Sequence, residues 1–316
     1  MRVNLRLLAP QSRRLLLHVG TVKTGSTSLQ AYLSEHQQVL AEAGWCYLPA
    51  VGRTDRRDLA AACVAIEDQR DEWLRARQLI HPQQRMAFRQ QVKADLEAQL
   101  KAVPDGLGVI LSSEHFHLSL QCPEEIQTLK QLLLEVGLEA QQVVVSLRAP
   151  LALIESLFST MVRSGDERPL PDDPSDPFVA LICDHRASLA RWRQVFGEAV
   201  VQPRAFPPCA GGSLSADFLG LLGGAPAAGW PPEPIRQRNR GLNPQALNLL
   251  AWLNRHCRWL TPQARCRWQR GVRRLLDGAL SRWASGSYRM PEPQRSHYVH
   301  RYSNGYAAWL QRELPQ

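Results

Sequence analysis

The stretch LLLHVGTVKTGSTSLQAYL, residues 15–33, decides the fold. The apolar run 15–20 reads as a buried strand, and Leu29 and Leu33 start a helical stripe; between them lies a loop carrying Gly20 and Gly25. A strand, a glycine loop and a helix start turn several backbone N–H groups toward one point, where the helix dipole adds partial positive charge. Gly20 and Gly25 let the backbone close tightly around a ligand. Thr24, Ser26, Thr27 and Ser28 add hydroxyl donors and Lys23 a full charge. The loop reads as a cradle for a phosphate or sulfate ester.

Its spacing is close to that of a nucleoside triphosphate loop, G-x-x-x-x-G-K-[ST]. Gly20 and Gly25 have the required separation, but Ser26 stands where the lysine should be, and the lysine has moved to position 23. It is therefore directed at a different atom of the ligand.

Further along, GLGVILSSEHF (106–116), QQVVVSLRAP (141–150) and EAVVQPRAF (198–206) read as strands. PEEIQTLKQLLLEVG (123–137) reads as a helix with acidic residues in its first turn and glycine at its end, and Pro150 opens another helix running to 163. Helical spacing covers 26–43, and 57–102 is polar and helix-prone. Residues 178–196, 214–222 and 244 onward are helical in pattern. Strands alternating with helices predict an α/β fold, a parallel sheet flanked by helices. The expectation is one domain over 14–316, with a helical C-terminal portion at about 244–312 and a basic lead-in over 1–13.

Composition narrows the classes. The 316 residues are 44% hydrophobic and 21% charged, a globular balance able to bury a full core. The net charge of +9 favours anionic partners. The seven cysteines, Cys46, Cys63, Cys122, Cys183, Cys209, Cys257 and Cys266, show no CxxC spacing, so neither a disulfide framework nor a zinc site is expected. No apolar run reaches the length of a membrane span, and the N-terminus lacks a signal-peptide pattern. A cytoplasmic protein is expected.

A second motif lies in SLRAPLALIES: Arg148 ends an apolar strand, where ligands of open α/β sheets collect, and Ser156 follows eight residues on. Together, GTVKTGSTS and SLRAPLALIES resemble the donor-binding motifs of the sulfotransferases that use 3′-phosphoadenosine 5′-phosphosulfate (PAPS). Family members carry a lysine two residues before the second glycine, and a strand-end arginine followed eight residues later by a serine. SSEHF (112–116) resembles a segment of bacterial and glycan-type members, LARWRQVFGEAVVQPRAF (189–206) the family's helix–FG–strand passage, and NRGLNPQALNLLAWLN (239–254) and RYSNGYAAWL (301–310) its C-terminal helices. The resemblance covers most of 14–312, with gaps at 50–105 and 255–295.

The resemblance implies a P-loop-NTPase-like sulfotransferase fold, PAPS as co-substrate and no metal. It places the 5′-phosphosulfate on Lys23, Thr24, Gly25, Ser26, Thr27 and Ser28, and the 3′-phosphate on Arg148 and Ser156, with Arg240 or Arg238 reaching it from a late basic loop. It makes Lys23 catalytic, stabilising charge on the leaving oxygen. Many members place a catalytic His or Glu soon after the first helix. Here YLPAVGRTDRRDLA (47–60) holds Asp55 and Asp58 but neither residue type. Glu114 is the candidate general base, with His115 and His117 as neighbours able to serve. His18 and His185 read as packed core histidines.

Residues 231–282 hold eleven arginines against Glu233 and Asp277, interleaved with Trp252, Trp259 and Trp268. A solvated helical face is the expected reading, and nucleic acid is not the expected partner. The acceptor, a hydroxyl or amine of a glycan, lipid or small molecule, is not named by any motif. A nucleotide kinase or other P-loop NTPase competes with this reading, as does a non-catalytic binder of anions or nucleic acid.

Overall fold

A computed structural model describes residues 12–166, 173–208, 213–222, 244–256 and 288–314. In order they form β1 (Arg13–Gly20), α1 (Ser26–Glu35), α2 (Gln37–Glu42), β2 (Trp45–Tyr47), α3 (Arg57–Cys63), α4 (Glu72–Ala76), α5 (Pro82–Lys101), β3 (Gly108–Ser113) and α6 (His115–Ser119). Next come α7 (Pro123–Glu135), β4 (Leu138–Arg148), α8 (Pro150–Arg163), α9 (Pro177–Cys183), α10 (His185–Phe196), β5 (Val201–Phe206), α11 (Leu214–Gly220) and α12 (Pro244–His256). Short helical turns over 294–313 close the described chain.

The strands form one five-stranded parallel sheet flanked by helices, in the order β2-β3-β1-β4-β5. β1 is central: Leu17 pairs with Leu111 of β3 on one side and Val143 of β4 on the other. Leu15, Leu16, Leu17 and Val19 are all buried, as a strand covered on both faces requires. On one face Leu16, Ile110 and Val144 pack with Leu29 and Leu33 of α1 and Phe218 of α11. Burying each of these leucines stabilises the fold by about 1.5–3 kcal/mol.

Contacts divide the chain into two compact units, one within 1–147, 185–236 and 313–316, the other within 148–184 and 237–312. In the second unit, Val162 of α8 packs with Leu247 and Leu250 of α12. Asn254 there donates to the carbonyls of Val162 (2.8 Å) and Asp166 (3.1 Å). Glu155 accepts from Arg295 Nη1 at 2.7 Å and from the Met290 amide at 3.0 Å.

Several elements differ from the sequence expectation. β1 begins at Arg13, inside the expected lead-in, because the Arg13 guanidinium reaches the carbonyls of Val103 (3.0 Å) and Pro104 (2.7 Å). The helix expected over 26–43 breaks at His36, whose φ of −117° is not helical. The helix-prone region 57–102 resolves into α3, α4 and α5. β2 is an added edge strand. Among the described residues Cys46, Cys63, Cys122 and Cys183 are free thiols, and no helix is long and apolar enough to cross a membrane.

Candidate functional site

The carboxyl end of β1 is where chain order reverses, since β3 lies on one side and β4 on the other. Ligands of open α/β sheets collect at such a point. Val19 is level with Ser113 of β3, and Gly20 with Ser146 of β4. The chain leaves β1 through Thr21, whose amide and hydroxyl both donate to the Ser146 carbonyl, at 3.2 and 2.7 Å.

The loop then closes on itself. Thr24 Oγ1 donates to the Thr21 carbonyl at 2.6 Å and lies 3.5 Å from Ser26 Oγ. A Cβ on Gly20 would stand 2.1 Å from Ser26 Oγ, so a larger residue here would push that hydroxyl aside. Gly25, at φ 77°, turns the chain into α1, and its carbonyl accepts from the amides of Ser28 (2.9 Å) and Leu29 (3.1 Å). Lys23 also has positive φ, 66°, a conformation that costs a non-glycine residue about 1–2 kcal/mol and is typically held at functional positions. No side chain caps α1 and its first turn holds no acidic residue, so the dipole at its N-terminus is not offset there. Thr24 and Ser26 are buried, Lys23 and Ser28 half-buried, and Thr27 is exposed.

Beneath the loop runs a chain of buried polar groups. The His18 ring lies between Ser146 Oγ (3.0 Å) and Ser112 Oγ (2.8 Å). Gln30 Nε2, on α1, donates to Ser112 Oγ and to Glu114 Oε2, both at 3.3 Å. Glu114 precedes α6 without capping it, which leaves its carboxylate to this contact. The central strand, both its neighbours and the helix after the loop are thus tied to one carboxylate.

Glu114, His115 and Asp55 meet, with their donor atoms within 4.8 Å of one another. His115 Nε2 stands 4.0 Å from Asp55 Oδ2. Burial pulls the His115 pKa down, with the Glu114 charge opposing it, so the ring is neutral at neutral pH and able to accept a proton. Asp55 arrives on a loop pinned at both ends to β3: Leu48 donates to the Ile110 carbonyl (3.0 Å) and Arg56 to the Ser112 carbonyl (3.1 Å). The Tyr47 hydroxyl donates to the Thr54 carbonyl within the same loop.

The sequence-derived candidates therefore fall into three groups. Lys23 through Ser28, Glu114 and His115 lie in the first unit, around the end of β1. Arg148 and Ser156 belong to the second unit. Arg148 is the last residue of β4, half-buried, with a pKa drawn down by burial and partly restored by Glu155. Ser156 sits in the second turn of α8, its carbonyl accepting from Thr160 Oγ1 at 3.3 Å. Arg238 and Arg240 lie outside the described residues, as does most of the basic stretch 231–282. Asp55 and Gln30 received no site role from sequence. The available signal for Gln30 was an amide beside the Leu29–Leu33 stripe.

His18 and His117 are both fully enclosed. Burial holds the His18 pKa down at about 4, and burial, with His185 and Arg191 nearby, holds that of His117 at about 3, against an ordinary value of 6.5. His117 is thereby a core residue. Below pH 6.5 the unfolded chain binds protons that the folded one does not, so stability falls with acidification until the folded pKa values are reached. Each histidine contributes a slope of up to about 1.4 kcal/mol per pH unit. Urea unfolding at pH 7, 6 and 5 should show this loss, and His117→Leu should make the dependence shallower. A pH-independent midpoint would contradict the buried neutral state.

No protein-family model matches the chain, and no curated protein matches it.

Proposed function

We propose that the protein is a PAPS-dependent sulfotransferase with a P-loop-like fold, acting on a hydroxyl or amine of its acceptor. The observation that carries this reading is the loop 20–26: closed through Gly20, holding Lys23 at positive φ, and opening onto an uncapped helix at the end of the central strand. A closed glycine loop leading into a helix with no side-chain cap and no acidic residue in its first turn suits a dianionic sulfated phosphate.

PAPS supplies a sulfuryl group on a good leaving phosphate. The acceptor oxygen or nitrogen forms a bond to sulfur as the sulfur–oxygen bond to the phosphate breaks, and the electron pair leaves with the adenosine bisphosphate. Lys23 and the loop amides stabilise charge growing on that oxygen. Glu114 takes the acceptor's proton, with Gln30 holding its carboxylate and His115 and Asp55 beside it. Most of the rate acceleration then comes from positioning and charge stabilisation, as in phosphoryl transfer. The donor's 3′-phosphate is assigned to Arg148, Ser156 and Arg240 by the resemblance alone.

The test is calorimetric titration of 3′,5′-adenosine bisphosphate into wild type and Arg148→Ala, with ATP–Mg²⁺ as comparison. Tight bisphosphate binding, lost in Arg148→Ala and not matched by ATP–Mg²⁺, is expected. Preference for ATP–Mg²⁺, or no bisphosphate binding, overturns the proposal and returns the loop to a nucleoside triphosphate.

A further inference from the structure

Beside the Asp55–Glu114–His115 cluster, three arginines surround one indole. The guanidinium carbon of Arg77 lies 3.7 Å from the Trp73 ring centroid, that of Arg57 at 5.7 Å and that of Arg53 at 5.8 Å. Phe88 of α5 backs the same indole at 5.8 Å. Arg53 is committed elsewhere, to Asp55 Oδ1 at 3.3 Å. Among the described residues, the side chains of Arg57 and Arg77 make neither a hydrogen bond nor an ion pair.

Arg57 is half-buried, and its Nε is shut off from solvent without a hydrogen-bond partner. Burial draws its pKa down, Asp71 opposes this, and the charges of Arg53 and Arg77 draw it down further. Asp71 does not complete the set. Its Oδ1 accepts from the amides of Trp73 (2.9 Å) and Leu74 (3.1 Å), and its Oδ2 from Ser119 Oγ (2.8 Å). A desolvated donor and like charges gathered on one ring are both relieved by an incoming anion. The planar fork of a guanidinium matches a carboxylate in particular.

We propose that Arg57 and Arg77, arrayed on Trp73, bind a carboxylate carried by the acceptor, making that acceptor a hydroxy acid. This rests on the sulfotransferase reading and specifies its substrate class. The subsite continues, through Arg53 and Asp55, into the cluster that holds Glu114. A carboxylate anchored there leaves a neighbouring hydroxyl of the same molecule to meet the proton acceptor.

The probes are trigalacturonic acid, its trimethyl ester and monomeric galacturonic acid, titrated calorimetrically into wild type, Arg57→Gln and Arg77→Gln. The acid is expected to bind at least about tenfold more tightly than the ester, and each substitution to weaken it by about tenfold or more. Arg77 is exposed, so its variant guards against a folding defect in Arg57→Gln. Bisphosphate affinity, measured on the same samples, should not change. Equal binding of acid and ester, no binding of the acid, or wild-type acid affinity in both variants overturns the subsite. A monomer that binds as well as the trimer supports a small hydroxy acid, and a tighter trimer supports a polymeric one. Failure of the bisphosphate to bind wild type would strike the sulfotransferase reading alone, because the acid–ester comparison does not involve the nucleotide.

Discussion

Glu114→Gln should lower the proposed sulfuryl transfer by about 10²–10⁴ while leaving the proposed adenosine bisphosphate binding at the wild-type level. The substitution keeps the shape of the side chain and removes its basicity. An amide oxygen can still accept from Gln30 Nε2, which reaches Glu114 at 3.3 Å, so the network under the loop need not move. Steady-state release of bisphosphate from PAPS, with the acceptor saturating, is the measurement. A rate within a few-fold of wild type would remove Glu114 as the base. The role would then pass to His115, whose burial keeps it neutral and which stands 4.0 Å from Asp55. Because the three groups share one small volume, His115→Gln in the same assay separates a single base from a shared one.

Lys23→Ala should cost about 10²–10³ in kcat, the usual effect of removing one donor aimed at developing charge. Its effect on bisphosphate binding should be smaller. In the proposed mechanism the charge on the leaving oxygen grows as the sulfur–oxygen bond breaks, so Lys23 would contribute more in the transition state than in the bound ground state. Equal losses in PAPS affinity and in kcat/KM, with kcat unchanged, would instead make Lys23 a plain binding residue. The positive φ of Lys23 adds a check. Lys23→Gly removes the same charge and relieves the backbone, so it should be at least as stable as wild type and as inactive as Lys23→Ala.

The β1–loop–α1 segment was legible because its signals are local. A short apolar run, two spaced glycines and a leucine stripe each act within a few residues, and the structure places β1 at Arg13–Gly20 and α1 from Ser26. The same holds for α8, where Pro150 sets the first turn. β2 was not legible: three residues, Trp45–Tyr47, are too few to show a period, and they pair only because β3 offers an edge. The break at His36 was hidden for the opposite reason, since the apolar spacing runs through it to Leu40. Buried polar residues in apolar strands, His18, Ser112 and Ser146, were visible as exceptions, but their partners were not. Those partners lie 94 and 128 residues from His18 in sequence.

What the amino-acid sequence determined alone is the α/β class, the glycine loop between the first strand and the first helix, and the residues at its rim. Each follows from backbone geometry and short-range pattern. What the tertiary structure decided is the company those residues keep. Pairing of β3 and β4 on either side of β1 strings Ser146, His18, Ser112, Gln30 and Glu114 into one path. Two backbone hydrogen bonds to β3 bring Asp55 beside His115. Neither arrangement follows from spacing, because sheet order and loop return are chosen by burial of apolar faces over the whole unit. The polar side chains those faces carry are then brought together by the packing and held by whatever hydrogen bonds burial demands.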